Sequence, residues 1–417
     1  MIKIKIPNNN IPERKYIIDI LFNEFLGLKY KIEIGSSDYE IIISNQKKLI
    51  IKDTFFNKYP RDLEYLKLKN IPKDIYELDI FALSFFMLTR WEEYVNKNRD
   101  THNRFPATES LAYKQGFLDR PIVNEELEKL KQKLLRLDNS LEFKKQEFKF
   151  VLTHDVDVAY KYGNKISMLR ELAGDLIKRR DIKLFFNTLN RQIKYLFRLE
   201  KDPFDTYNYL MNISEKVGTK SYFFLHSSSS AIQDKNNDKF LKEIAYKIKK
   251  RGHFLGYHPS YNAYNNFELF INDKEKIENI IDEKLTFGRA HFLRFDIPIT
   301  WQRWEDAKME WDSSLGYADR EGFRCGVCYE YSVFNVLTRK KLNLKERPLI
   351  VMEGSFTTYQ PNIEPEDMEI KIKKLIDEVK KYNGEFVFLW HNSSFDSSFW
   401  DKYKRVYSDI LLKEEQF

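Results

Sequence analysis

Cysteine is nearly absent: two residues in 417, Cys325 and Cys328. That excludes a disulfide-stapled scaffold and fits a reducing compartment. Proline and glycine are also sparse, at 12 and 14, which excludes collagen-like and linker-dominated chains. The longest low-complexity piece is the SSSS run at 227–230, read as a loop. No window approaches the ~18 consecutive apolar residues of a membrane helix. No concentrated basic arm or aromatic-basic module is present, which argues against a nucleic-acid partner. The opening MIKIKIPNNN has no apolar stretch behind its charges, so no signal peptide is expected, and the expected location is cytoplasmic.

What is present is a soluble-type composition with 42% hydrophobic and 32% charged residues, enough for a large core. The net charge is +7. Lysines spread through mixed-sign helices such as KIKKLIDEVKK read as solvated faces, with attraction to an anionic glycan or a membrane surface, and so peripheral membrane contact, as the minority reading. The length suggests two domains or three, and the sequence divides into two. Residues 1–145 read as a small α/β domain of unknown role. IKIKI and KIEIG are strands, ERKYIIDILFNEFLG is a helix with a Gly stop, and YEIIISNQKKLIIKD is a strand pair around an Asn-Gln turn. DIFALSFFMLTRWEEYVN reads as one buried helix, and EELEKLKQKLLRLDNS as a charged one.

Residues 146–417 alternate strand and helix, which implies a parallel sheet or barrel with right-handed crossovers. A long basic helical segment is expected over about 164–199. DKFLKEIAYKIKKRG reads as a helix capped by Asp238. EPEDMEIKIKKLIDEVKKYNG places Met368, Ile372, Leu375, Ile376 and Val379 on one face. Active sites in such folds lie at the carboxyl ends of the strands. The histidines concentrate there. LTHDVD ends one strand with His154, Asp155 and Asp157; SYFFLH ends in His226, HFLGYH in His258 and EFVFLWH in His391; RAHFLRF carries His291. Two carboxylates this close call for a cation or a shared proton. Imidazole beside carboxylate suits zinc first, with cobalt, nickel or manganese as alternatives. CGVC lacks a second ligand pair and is read as two ordinary thiols.

In order, LTHDVD, GHFLGYHPSY, RAHFLRF, WDSSLGYADREGFRCG, PLIVMEGSF and FLWHNSSF resemble the polysaccharide deacetylase (NodB-homology) family of carbohydrate esterases. The closest likeness is to a divergent bacterial branch with an extra N-terminal α/β domain. The resemblance implies a distorted (β/α) barrel and a divalent metal. It also implies hydrolysis of an N-acetyl or O-acetyl group on a sugar; the expected cytoplasmic location suggests a lipid-linked or nucleotide-linked precursor of a surface polysaccharide as that sugar. It implies Asp155 as catalytic base and Asp157 as metal ligand; the intervening Val156 points the other way along a strand, so the two carboxylates can share a face. His258 matches the first of two family histidines. Asn262 stands at the second, a departure, and His291 is the candidate to replace the missing imidazole. Arg289 matches the arginine that forks the base, and His391 the general acid, with Asp312 or Glu353 orienting it. Tyr261, Asn262 and Trp390 are the expected substrate contacts; Trp301, Trp304 and Trp311 flank the same motifs. Two rival readings are a non-catalytic glycan-binding protein on this fold and a glycosyltransferase using Asp-Val-Asp for a metal-bound nucleotide.

Overall fold

The computed structural model describes residues 1–43, 47–163, 165–226, 235–360, 362–396 and 400–413. The expected Asn-Gln turn and the SSSS run lie outside these residues. Strands β1 (Ile2–Ile6), β2 (Tyr30–Ile34), β3 (Tyr39–Ile42) and β4 (Lys48–Ile51) form a four-stranded sheet in the order β2–β1–β3–β4. In β1, buried Ile2, Ile4 and Ile6 alternate with Lys3 and Lys5, the period of a strand with one face on a core. The helix Ile11–Ile18 widens into a π-type continuation over Asp19–Phe25.

The helix Ile80–Thr89 is apolar all round and buried along its length, as a core helix must be. The Asp79 carboxylate caps it, accepting from the amides of Phe81 and Ala82 at 3.0 and 3.1 Å. The single helix expected through Val95 breaks at Arg90, which adopts φ 52°. The break follows from charge. Arg90 is fully buried and donates to Glu93 at 2.9 Å and to the Tyr317 hydroxyl at 3.1 Å, and Glu93 also binds Arg324. This buried network joins the N-terminal region to the rest of the chain. Tyr16 packs on Phe334 with ring centroids 4.6 Å apart, so one hydrophobic cluster runs through both regions.

The large sheet contains β5 (Lys149–Val156), β6 (Tyr222–His226), β7 (Phe254–His258), β8 (Phe287–Gly288), β9 (Trp311–Asp312), β10 (Tyr331–Asn335), β11 (Lys340–Glu346), β12 (Val351–Met352) and β13 (Glu385–Leu389). Its order is β10–β11–β9–β8–β7–β6–β5–β13–β12. Every pairing is parallel except the β10–β11 hairpin. The sheet curls strongly. Trp311 on β9 and Tyr222 on β6 lie three strand spacings apart, ~14 Å in a flat sheet, yet their rings are 5.4 Å apart. Hydrogen bonding does not carry the curl to a closed barrel: among the described residues no ladder joins β12 to β9 or β11. Backbone contacts such as Gly322 N–H to the Ile350 carbonyl, 2.9 Å, bridge that side. β8 comes so close to β7 that a Cβ on Gly288 would lie 1.9 Å from the Tyr257 carbonyl oxygen, so only glycine fits.

The basic stretch after β5 is two helices, Lys165–Ile177 and Ile182–Leu196, because Asp181 caps the second through the Leu184 amide at 2.9 Å. The helix Lys235–Lys250 begins before Asp238, which therefore sits in its first turn and is not the cap. The helix Pro365–Lys381 buries Met368, Ile372, Leu375, Ile376 and Val379, the face its spacing predicts. Cys325 and Cys328 are free and buried. Burial pushes the Cys325 thiol up to about 12 and raises Cys328 too, so both are inert as nucleophiles.

Candidate metal centre

Strand alternation sorts the residues of LTHDVD. Val151 belongs to the small cluster inside the curl, with Val387 and Leu349, whereas Leu152 and Val156 belong to the main core. Thr153 and Asp155 share the inward side with Val151. His154 faces the other way. Its Nδ1 lies 2.8 Å from the Trp390 carbonyl and its Nε2 3.1 Å from Ser221 Oγ, and burial lowers its pKa to about 4. It is a structural histidine.

Asp155 is 3% exposed and is held by Arg289, whose Nη1 donates to Oδ1 at 2.8 Å. The expected two-point fork is absent. The same Nη1 donates to Thr153 Oγ1 at 2.9 Å, while Nε and Nη2 donate to the Ser313 carbonyl and hydroxyl at 2.8 and 3.0 Å. The guanidinium spans the curl and anchors the carboxylate from one side, leaving its second oxygen for other partners.

His258 ends β7. Its Nδ1 donates to the Arg289 carbonyl at 2.7 Å. A carbonyl only accepts, so the proton sits on Nδ1, and in the neutral ring Nε2 carries the lone pair. That Nε2 lies 3.1 Å from Asp157 Oδ1 and 3.8 Å from Asp155 Oδ2. Both Nε2 and Asp157 Oδ1 are buried without a hydrogen-bond partner: close, but not aligned as donor and acceptor. His291 Nε2 is 3.5 Å from the same Asp157 oxygen. Asp157, His258 and His291 each offer one donor atom, all within 4.8 Å of one another. Two imidazoles and a carboxylate around one point form a donor set that fits zinc or a similar divalent ion.

The electrostatics agree for Asp157 and His291. Burial would raise Asp157, but His258, His391 and His291 outweigh it and hold the carboxylate far below its usual range. Burial, with the nearby His258, lowers His291 to about 2, keeping it neutral as a ligand must be. Burial would lower His258, but Asp155 and Asp157 outweigh it and raise its pKa; a cation would compete for that proton's place.

His391 follows β13. Glu353 Oε1 accepts from its Nδ1 at 2.6 Å, from its backbone amide at 2.9 Å and from Ser394 Oγ at 2.6 Å. Burial opposes protonation, but the Glu353 carboxylate overrides it and pushes His391 up to about 10. Its Nε2 is 3.9 Å from Asp157 Oδ2. Of the two carboxylates expected to orient this histidine, Glu353 does so. Asp312 is buried elsewhere, accepting from Ser314 Oγ at 2.5 Å.

Of the three expected substrate contacts, Trp390 needs revision. Trp390 is fully buried against Phe388, Trp400 and Tyr407 and offers no face to a sugar; Trp301, Trp304 and Trp311 are likewise buried. Asn262 is exposed and opens the turn Ala263–Asn265 without capping it; His291 stands in the donor cluster instead. Tyr261 lies at the rim, but its hydroxyl is 3.0 Å from His102 Nδ1. His102 belongs to the polar stretch after the buried N-terminal helix and carried no strand-end signal. Its neighbours tie that stretch across the rim: Arg294 Nε donates to the His102 carbonyl at 2.9 Å, and Arg104 Nη1 to the Phe292 carbonyl at 3.2 Å. Phe292, 44% exposed beside His291, takes φ 59°, a costly conformation of the kind found at functional sites.

Residues 2–139 match a family of unknown function (DUF7033). No curated protein matches the chain. Among solved structures, the chain is similar to a protein assigned as a polysaccharide deacetylase from Mycobacterium smegmatis, at 12% identity and TM-score 0.41, over 65% of this chain and 85% of that one. It is also similar to a polysaccharide deacetylase from Bacillus cereus, at 14% identity and TM-score 0.30, over 65% and 89%. A third is a CE4 family pseudoenzyme from Bacillus anthracis, at 11% identity and TM-score 0.32, over 65% and 62%. At identities and scores of this size, no residue role passes from those proteins to this one.

Proposed function

We propose that this chain is a metal-dependent hydrolase that removes an acetyl group from an N-acetylated or O-acetylated sugar, on a curled sheet of the deacetylase type. The observation that carries the proposal is the pair of buried, unpartnered atoms, His258 Nε2 and Asp157 Oδ1, 3.1 Å apart. Buried polar atoms without partners are rare and costly, and a cation satisfies both.

Asp157, His258 and His291 would hold the ion. When bound, a divalent ion supplies Lewis acidity and makes water a stronger acid. The remaining work falls to the chain. Asp155, steadied by Arg289 and with Oδ2 turned toward His258, accepts a proton from the attacking water. His391, protonated at neutral pH because Glu353 faces its Nδ1, presents Nε2 beside Asp157 and donates to the departing nitrogen or oxygen. An amine leaves poorly as its anion, so amide cleavage requires that proton. A binding module would need neither group.

The test pairs elemental analysis with acetate release from N-acetylated glucosamine oligomers. Asp157→Ala should purify without the metal the wild type holds. Asp155→Asn should keep the metal and lose about 10²–10⁴ in rate. A wild-type protein that carries no divalent metal and takes none up would sink the proposal.

A further inference from the structure

Of the helices between β5 and β6, Lys165–Ile177 and Ile182–Leu196 form a hairpin whose second member leaves much of its apolar side exposed. A helix packed on a soluble protein turns its apolar side inward. In the helix Ile182–Leu196, the buried residues are Thr188 and Gln192, while Ile182, Phe186, Ile193 and Leu196 are 67%, 61%, 42% and 59% exposed. Their spacings of four, seven and three residues place them on one side of the helix. Phe197 and Ile177 extend the exposed apolar surface beyond the helix ends. A contiguous face of this kind marks an interaction surface.

Its charge identifies the occupant. Residues 165–201 contain ten Lys and Arg against four Asp and Glu, a surplus of six in a chain whose net charge is +7. Arg179, Arg191 and Lys194 are paired with Asp175, Asp396 and Glu200. Among the described residues, Arg170, Lys178, Arg180, Lys183 and Arg198 have no ion-pair partner. A second copy docking here would set this surplus against itself. An anionic bilayer meets both needs at once: its acyl boundary takes the apolar stripe and its phosphates take the cations. We propose that this helical hairpin docks the protein on an anionic lipid surface. Asp396, five residues after His391, accepts from Lys161 at 2.5 Å and binds Arg191. The hairpin is thus tied to the loop that carries His391, and docking brings the metal centre to the lipid headgroups. The inference does not depend on the reaction catalysed there.

The full chain is mixed with vesicles of phosphatidylglycerol and phosphatidylcholine, or of phosphatidylcholine alone, and floated on a density gradient. The wild type should float with the anionic vesicles only. Ile182→Ser/Phe186→Ser/Phe197→Ser, and separately Lys178→Glu/Arg180→Glu/Lys183→Glu, should each lower partitioning at least tenfold with thermal midpoint and metal content unchanged. If the apolar triple variant fails to fold, the charge-reversed one carries the test. A wild type that floats with neither vesicle, or variants that float as it does, would overturn the inference. So would a dimer, seen by light scattering, that the apolar variant dissociates, since the face would then belong to a second copy.

Discussion

Glu353 shows how one side chain sets the chemistry of another. It is buried, and its Oε1 receives both nitrogens of the His391 backbone-and-ring pair and the Ser394 hydroxyl. Burial would raise its own pKa, but His391 outweighs this and lowers it. The two therefore stay charged together, and the imidazolium persists up to about pH 10. Glu353→Gln keeps an oxygen acceptor and removes the charge. The high-pH limb of the rate profile should then move down by more than one pH unit, and the rate at pH 8 should fall about 10–100-fold, with metal content unchanged. An unaltered profile would mean that Glu353 only packs. Asp157 needs no such partner, because three imidazoles already surround it.

Among the elements, β8 has the least slack. It is two residues long, pairs with β7 and β9, and hands the chain directly to Arg289 and His291. Gly288→Ala would drive a Cβ to 1.9 Å from the Tyr257 carbonyl. The strands must separate, which moves Arg289 away from Asp155 and the Arg289 carbonyl away from His258 Nδ1. We expect a loss of about 1–3 kcal/mol in urea unfolding, together with weakened metal retention in dialysis. The same substitution at exposed Gly116 would meet no neighbour but would strain a positive φ, so it should cost stability without metal.

At the scale of the whole molecule, a buried acidic pair makes stability depend on pH. Asp312 and Glu346 are both fully buried and in register between β9 and β11. Burial raises Asp312 to about 6 and, with Asp312 beside it, raises Glu346 well above its usual value. Unfolded carboxyls lose their protons near pH ~4. Above that, the folded chain holds more protons than the unfolded one, so stability falls as pH rises from about 4 through 6 and beyond. Asp312→Asn removes one charge, lets Oδ1 keep the Ser314 bond and turns an amide toward Glu346. The pH slope of the urea midpoint should flatten, and the variant should gain on the order of 1–3 kcal/mol at pH 8. A slope identical to wild type would show that Asp312 does not carry the pH dependence.

Local patterns in the sequence determined much. The period of 3.6 places Met368 to Val379 on the buried face of one helix, the period of 2 puts Asp155 and its strand neighbours on opposite sides, and the strand ends and motif order together single out Asp155, Asp157, His258, Arg289, His291 and His391. The tertiary structure alone decided which of them meet. Sheet register and curl carry Arg289 across to Asp155 and set His258 against Asp157, while exposed Asn262 stays outside the cluster. It also decided that Trp390 is core, that Arg90 breaks a helix to bury an ion network, and that His102, far off in sequence, reaches the rim. Periodicity reports only which side of an element is wet; distances between elements depend on strand order and curvature, which no local window of sequence contains.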